Sequence, residues 1–356
     1  MQELAFSPDS AQIRADLQNI PETLGLHEAL DGKHLLLTGA TGFFGRWLLA
    51  LLAQLNGQGM RVDVSALSRN PSSFLALQPY FRDLPWLHWE QGDVRDLQIP
   101  MQRTPDMILH AAADTSAAAH ARPLELFDSI IGGARRVLEL GAQSGVNRIL
   151  LIGSGAQYGV MSAFQLVGED YSGACESSCV SSAYGEAKRA QEVLGAIYAK
   201  DHGLDVVMAR CFAFSGPGLP LDGHFAIGNF VRDALCADAI VLKSAGQAVR
   251  SYLHGADLAC WLLVLLLRGQ SGQVYNVGSD QAISIADLAR RVVARIAPDK
   301  SIKILGNADT CGRSFYVPDV SRARGLGLDV WTSLDASIDS MAAWARAHGY
   351  GESTVD

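Results

Sequence analysis

The sequence contains no long hydrophobic run. Its longest apolar stretch, Ala259 to Leu267, falls far short of the roughly 20 residues that cross a bilayer. It reads as a buried helix, and no membrane association is expected. Positive charge is also scarce. There are 29 Lys and Arg against 37 Asp and Glu, a net charge of −8, which argues against the basic face that nucleic-acid binding requires. A local basic pocket for a phosphorylated substrate stays compatible with that balance. Residues Met1 to Asp9 lack a basic segment followed by an apolar one, so no secretory signal is expected. The six cysteines, Cys175, Cys179, Cys211, Cys236, Cys260 and Cys311, are scattered. Cys175-x-x-x-Cys179 has no matching second pair, so no metal site is expected. Such thiols suit the reduced core of a soluble, cytoplasmic protein. Internal repeats and low-complexity tracts are missing as well.

What is present is a chain of 356 residues, 49% hydrophobic, with 35 glycines that follow no short period. That is enough apolar material for a large core with many tight turns. Short apolar runs of strand length recur: His34–Thr38, Val62–Leu67, Trp86–Glu90, Met107–His110, Arg148–Ile152 and Asp205–Arg210. Helical patterns lie between most of them, including Phe43–Leu55 and Ser182–Lys200. Apolar strands alternating with helices predict an α/β fold, a doubly wound parallel sheet covered on both faces, with ligands at the carboxyl ends of the strands. Residues 1–32 read as a polar, partly helical leader. Residues 33–210 and 250–278 read as the sheet domain. Residues 211–249 and 279–356 read as a smaller α/β region that binds substrate, including the helix Ile285–Ile296.

Directly after the first strand comes Thr38-Gly39-Ala40-Thr41-Gly42-Phe43-Phe44-Gly45. Glycines at that spacing let the backbone approach a ligand closely, and the helix that follows offers free N–H groups to a pyrophosphate. Gly39, Thr41, Gly42, Phe43, Phe44 and Gly45 are therefore candidate dinucleotide contacts. The second strand runs into Ser68-Arg69, where an NAD site usually places an acidic residue for the ribose hydroxyl. Arginine instead suits a 2′-phosphate. Ser68 and Arg69 thus point to NADP, with NAD as the alternative if Arg69 is merely solvated. Asp93-Val94 after the third strand can reach the adenine, though an Asp in that place also caps helical turns. His110-Ala111-Ala112 ends the fourth strand with small residues that let the cofactor lie close. His110 itself reads as a histidine satisfied by backbone in the sheet in preference to a catalytic one.

Tyr184 and Lys188 lie four residues apart in a helical segment, on one face. A phenol near pKa 10 is a poor base at neutral pH, and a lysine one turn away lowers that value. Together they can move a proton while hydride moves at the neighbouring carbon. Ser154, in Gly153-Ser154-Gly155-Ala156-Gln157-Tyr158-Gly159 after the fifth strand, is placed to polarise the reacting oxygen. From these motifs the chain resembles the extended short-chain dehydrogenase/reductase family, in its nucleotide-sugar epimerase/dehydratase branch. The likeness covers roughly residues 33–330. It continues through Arg210-x-x-Ala213-x-x-Gly216-Pro217, Arg250-Ser-Tyr-Leu-His-Gly-Ala-Asp257, Tyr275-Asn276-Val277-Gly278 and Tyr316-Val-Pro-Asp319.

The resemblance implies a Rossmann-type fold in which Ser154, Tyr184 and Lys188 are catalytic. It implies that a nucleotide-diphosphate sugar is the substrate. Arg250 would bind the diphosphate and Arg313 would be a second contact. Asn229 and Phe230 would lie beside the base, and Ser116 and Ser154 beside the sugar. A homodimer built on paired helices, one of them Ser182–Lys200, is implied as well. There are departures. The family's asparagine in R-x-x-N is Ala213, and its N-V-x-G-T is Ile130-Ile131-Gly132-Gly133-Ala134. Family 4,6-dehydratases carry Asp-Glu after the catalytic Ser or Thr, and decarboxylating relatives keep the glutamate. Here Gly155-Ala156 stand there, and neither transfers a proton. The expected activity is therefore redox chemistry at C4 of the sugar. An NADPH-dependent 4-ketoreductase is the first reading and a 4-epimerase with tightly held NAD the alternative. A non-catalytic NADP sensor has no need of Ser154, Tyr184 and Lys188 together.

Overall fold

A computed structural model describes residues 4–98, 101, 103–146, 148–161, 165–223, 225–306 and 314–351. Seven strands form the central sheet: β1 (His34–Thr38), β2 (Asp63–Ser68), β3 (Leu87–Gln91), β4 (Met107–His110), β5 (Arg148–Ser154), β6 (Asp205–Cys211) and β7 (Val274–Val277). Their spatial order is β7-β6-β5-β4-β1-β2-β3, and every neighbouring pair is parallel. The expected doubly wound α/β sheet is thus what the chain forms. Side chains alternate along a strand, and here both directions are buried. Leu35 and Leu37, Leu150 and Ile152, and Val207 and Ala209 enter one core cluster. Leu36, Ile149, Leu151, Val206 and Met208 enter a second on the opposite face. Both faces are apolar because helices cover both. Phe43–Gly57 and Gly255–Arg268 contribute Leu48, Leu52, Trp261 and Leu265 to the first cluster. Pro123–Ser144 contributes Val137 and Leu138 to the second, and Ala183–His202 packs Leu194 against it.

Residues from Phe6 onward join the same core. Phe6, Ile13, Leu17, Leu24, Leu26 and Leu30 are each at most 5% exposed. Burying one such side chain is worth about 1.5–3 kcal/mol. The helix Ala11–Gln18 also inserts Asp16, which accepts from the Ser340 hydroxyl at 2.5 Å and from Gln12 at 3.0 Å. His254 faces it at 3.6 Å. The His254 Nδ1 accepts the Ala256 N–H at 3.1 Å, so Nε2 carries the ring proton toward Asp16.

A further cluster gathers Leu219, Ile227, Phe230 and Val231 with Leu288, Val292, Ile338, Met341 and Trp344. Beside it, the short strand Val249–Arg250 pairs in parallel with Phe315–Tyr316 and sets Tyr316 opposite Arg250. This pairing carries Tyr316 to the carboxyl end of the central sheet. Strand order reverses around β1, between β4 and β2, and the crevice that opens there is the usual ligand position of such a sheet.

Candidate active site

The glycine turn after β1 is built for close approach. Gly39 has φ +75°, and a Cβ on it would lie 2.6 Å from the Ala111 carbonyl oxygen. A Cβ on Gly45 would lie 2.3 Å from the Ala40 carbonyl oxygen, so any side chain there would drive the helix off the sheet. Gly42 begins the helix Phe43–Gly57 without a side-chain cap, and a Cβ built on it would meet only the Gly39 oxygen, at 3.5 Å. The first-turn N–H groups and the positive end of the helix dipole therefore have no side-chain acceptor, which fits a pyrophosphate. Thr41, Phe43 and Phe44 are half-buried around this turn, and Phe44 sets its ring edge-on to Phe214 at 4.9 Å.

Ser68 closes β2, and the Arg69 guanidinium just beyond it lies 3.5 Å from the Asp114 carboxylate. Asp93 caps the short turn Val94–Asp96 by accepting the Arg95 N–H, and it also holds the Arg95 guanidinium through two contacts of 2.9 Å. This pairing holds the Asp93 carboxyl below its ordinary range. Val94 packs against Gly133. At the end of β4, His110 Nδ1 meets the Thr38 hydroxyl at 2.8 Å, and that hydroxyl accepts the Ala112 N–H at 3.2 Å. The partner of His110 is thus a side chain on the neighbouring strand. Its Nε2 is buried without a partner among the described residues. Burial pushes the imidazole down to about 3, so it is neutral. Ala111 and Ala112 leave the crevice open beside Gly39.

Ser154, Tyr184 and Lys188 come together. Ser154 ends β5 in register with Cys211 of β6. Its hydroxyl accepts the Ala156 N–H at 3.2 Å, and its side chain lowers the pKa of the Tyr184 phenol. Burial outweighs this and pushes Tyr184 up to about 12. Lys188, one turn along, donates to the Ile152 carbonyl at 2.7 Å and to Gln191 Oε1 at 3.2 Å. Its burial pushes the ammonium down to about 8. A bound cation beside Tyr184 would oppose the effect of burial on the phenol.

On the substrate side the expected residues separate. Arg250 is half-buried, donates to the Val249 and Ser314 carbonyls, and lies 5.6 Å over the Tyr316 ring. It forms no ion pair with a described carboxylate, and its pKa is lowered by desolvation. A desolvated cation held only by carbonyls and a ring is suited to receive an anion. Ser116 is exposed and caps the short helix Ala117–His120, whose His120 ring stands 5.4 Å from the Tyr184 ring. Asn229 is half-buried and donates to the Gly223 carbonyl at 3.0 Å. Phe230 is 5% exposed and packs inside the cluster of Ile227 and Leu288. Arg313 lies outside the described residues.

The sequence model of the NAD dependent epimerase/dehydratase family matches residues 35–278, which span the glycine turn, all seven strands and the Ser154–Tyr184–Lys188 group. The chain belongs to that family. It is 27% identical over 293 residues to UDP-glucuronic acid decarboxylase 6 of Arabidopsis thaliana, covering 82% of each chain. Its fold is similar to that of UDP-glucose 4-epimerase from Thermotoga maritima, with TM-score 0.76 at 20% identity, over 88% of this chain and 99% of that one. It is also similar to an NAD-bound double mutant of dTDP-glucose 4,6-dehydratase from Streptomyces venezuelae, with TM-score 0.75 at 24% identity, over 88% and 96%.

Two features of this family member's site are not read from the sequence. Tyr316 closes the space over Ser154. Its hydroxyl donates to the Cys211 carbonyl at 3.5 Å beside Ser154, and its ring packs 4.7 Å from Phe212. Beneath Ser154 lies a polar network. Glu192 takes two contacts from Arg210, whose guanidinium sits 4.6 Å over the Tyr158 ring. The Tyr158 hydroxyl donates to Asn276 at 2.8 Å. Arg210, Asn276 and Tyr316 all stand in the motifs that carry the resemblance, which was the available signal. Their mutual contacts required the fold.

Proposed function

We propose that this chain transfers hydride and a proton at C4 of a nucleotide-activated deoxysugar, as an NADPH-dependent 4-ketoreductase. The observation that carries this is the surface next to Ser154. Gly155 and Ala156 stand where an acid/base pair for eliminating water would be. The volume in front of Gly155 is taken by the Tyr316 hydroxyl, 2.7 Å from a Cβ built there, and by Phe212 carbons at 2.9 Å. With no carboxylate at positions 155 and 156, and with burial pushing the Tyr316 phenol up so that it holds its proton, exchange at the C4 oxygen is the chemistry that Ser154 and Tyr184 support.

A nicotinamide cofactor, when bound, supplies the hydride. Gly39, Thr41, Gly42, Phe43, Phe44 and Gly45 would hold its pyrophosphate. Ser68 and Arg69 would hold the 2′-phosphate, Val94 and Asp93 would flank the adenine, and Ala111 and Ala112 would line its path beside His110. Ser154 polarises the C4 oxygen and Tyr184 delivers the proton to it. Lys188, fixed by Ile152 and Gln191, presents its ammonium to the same region and favours the phenolate once the proton has left. Arg250 receives the substrate diphosphate, with Arg313, Ser116, Asn229 and Phe230 as further contacts of the nucleotide sugar. Outward-facing Leu124, Val193 and Ile197 on Pro123–Ser144 and Ala183–His202 are exposed. They favour a homodimer through these helices. No helix among the described residues is long and apolar enough to cross a membrane; the cytoplasmic location remains part of this proposal.

One observation favours a second reading. Asp114 lies against Arg69 and offsets part of its charge, which weakens the case for a 2′-phosphate. The corresponding enzyme is a 4-epimerase that keeps NAD bound and returns the hydride to the opposite face. Denaturing the purified protein and identifying the released nucleotide separates the two. An empty site that takes up NADPH supports the reductase, and stoichiometric NAD(H) supports the epimerase. Full turnover by a Tyr184→Phe chain would overturn both.

A further inference from the structure

We propose that Gln157 is a positioning residue that sets the Ser154 hydroxyl against Tyr184 by tying the end of β5 to the catalytic helix. This rests on the reading that Ser154 and Tyr184 handle the proton. Gln157 is 2% exposed. Its Oε1 accepts the Ser154 N–H at 2.9 Å, and its Nε2 donates to Glu192 Oε2 at 2.8 Å. Glu192 lies one turn beyond Lys188 on the helix that carries Tyr184, so the amide spans from one catalytic element to the other. The far end is fixed in turn. Glu192 receives Arg210 Nε at 3.1 Å and a second guanidinium nitrogen at 2.5 Å, and Arg210 belongs to β6.

The chemistry at position 157 is restrictive. The side chain faces an N–H on one side and a carboxylate on the other. A glutamine amide supplies an acceptor and a donor on the two arms of one planar group, so it can serve both sides at once. A carboxylate would oppose Glu192, and an apolar side chain would strand the buried Ser154 N–H. Asparagine is one methylene shorter. The backbone makes room for the longer amide, because a Cβ on Gly153 would lie 2.5 Å from Gln157 Oε1. A second glutamine braces the same junction. Gln191 donates to the Ile152 carbonyl at 3.0 Å while accepting from Lys188. Gln191 therefore orients the lysine, and Gln157 orients the serine.

The test uses the full chain loaded with whichever nicotinamide nucleotide is identified after denaturation, in its oxidised form. The Tyr184 phenolate is titrated by its ultraviolet absorbance, with Tyr184→Phe as the blank. In Gln157→Val the Ser154 hydroxyl loses its register and with it the lowering effect that favours phenolate at Tyr184. The titration is expected to move up by about one pH unit, roughly tenfold in proton affinity. Nucleotide binding should stay close to wild type. Gln157→Glu should shift in the same direction. Gln157→Glu combined with Glu192→Gln should restore the original midpoint, because the bond re-forms with the two groups exchanged. A Gln157→Val chain that loses thermal stability yet titrates like wild type overturns the proposal. If Gln157→Val does not fold, the two glutamate variants decide, and equal midpoints for the single and double variants overturn it. Full turnover by Tyr184→Phe sinks the underlying reading instead, whatever Gln157→Val does.

Discussion

The Tyr316 hydroxyl rests against Gly155, 2.7 Å from the point where a Cβ on that glycine would stand. The two residues lie far apart in sequence and meet because Phe315–Tyr316 pairs with Val249–Arg250. Their contact closes the space beside Ser154 and leaves it apolar on the Phe212 side. Gly155→Ala should therefore overpack the site. A loss of about 1–3 kcal/mol is expected, read as a lower denaturant midpoint with an unchanged slope. Adding Phe212→Ala should recover part of it.

The influence of Ser154 on Tyr184 predicts two losses of different size. Tyr184→Phe should lower turnover of a 4-keto nucleotide sugar by about 10²–10⁴-fold without a change in nucleotide affinity. Ser154→Ala should cost roughly 10²-fold or more. It should also raise the pH at which Tyr184 ionises, since Ser154 lowers that phenol's pKa. Steady-state rates across pH check both.

The 3.5 Å pair between Arg69 and Asp114 sets coenzyme choice under the reductase reading. Arg69→Ala should weaken NADPH binding by roughly tenfold or more, the worth of a charge-assisted contact, and leave NADH unchanged. Asp114→Asn should strengthen NADPH binding by freeing the guanidinium. Fluorescence titration with each coenzyme measures the two effects without any substrate.

Asp16 should make stability depend on pH in a direction unusual for a carboxylate. Burial raises it from 3.8 to about 6, so the folded chain holds that proton more tightly than the unfolded chain. Stability from Asp16 is complete below the unfolded value and is lost as pH rises through about 6. The stability of wild type relative to Asp16→Asn should fall by up to about 1.4 kcal/mol per pH unit between those two values and then level off. His254 and His110 are each depressed to about 3 by burial. Asp257 is raised to about 6. All three are common to both chains and leave the difference largely untouched. Denaturant melts from pH 4.0 to 8.0 test the sign.

Much of the fold could be read from the chain because its signals are local. Met107–His110 was expected and found as a strand with unchanged bounds, and Phe43–Leu55 differs from the observed helix only at its end. Boundaries moved by a residue or two where strands gained ladder partners, as Ser154 did by pairing with Cys211. Local signals leave alternatives open where one side chain has two uses. Asp93 caps its turn and pairs with Arg95 two residues on, and its contact with adenine stays part of the proposed function. His110 reads as a sheet histidine, yet its partner is the Thr38 hydroxyl across a strand pairing that no short window contains.

The sequence by itself determined the parallel α/β sheet, the glycine turn and the Tyr184–Lys188 face. Strand alternation, backbone freedom and the i,i+4 spacing of a helix all act within a few residues. Only the tertiary structure decided what surrounds Ser154. It brought Tyr316 over Gly155, ran Gln157 to Glu192, and left Arg250 among carbonyls and an aromatic ring. Those contacts join distant segments through packing and buried hydrogen bonds, whose geometry exists only once the sheet and its covering helices are assembled.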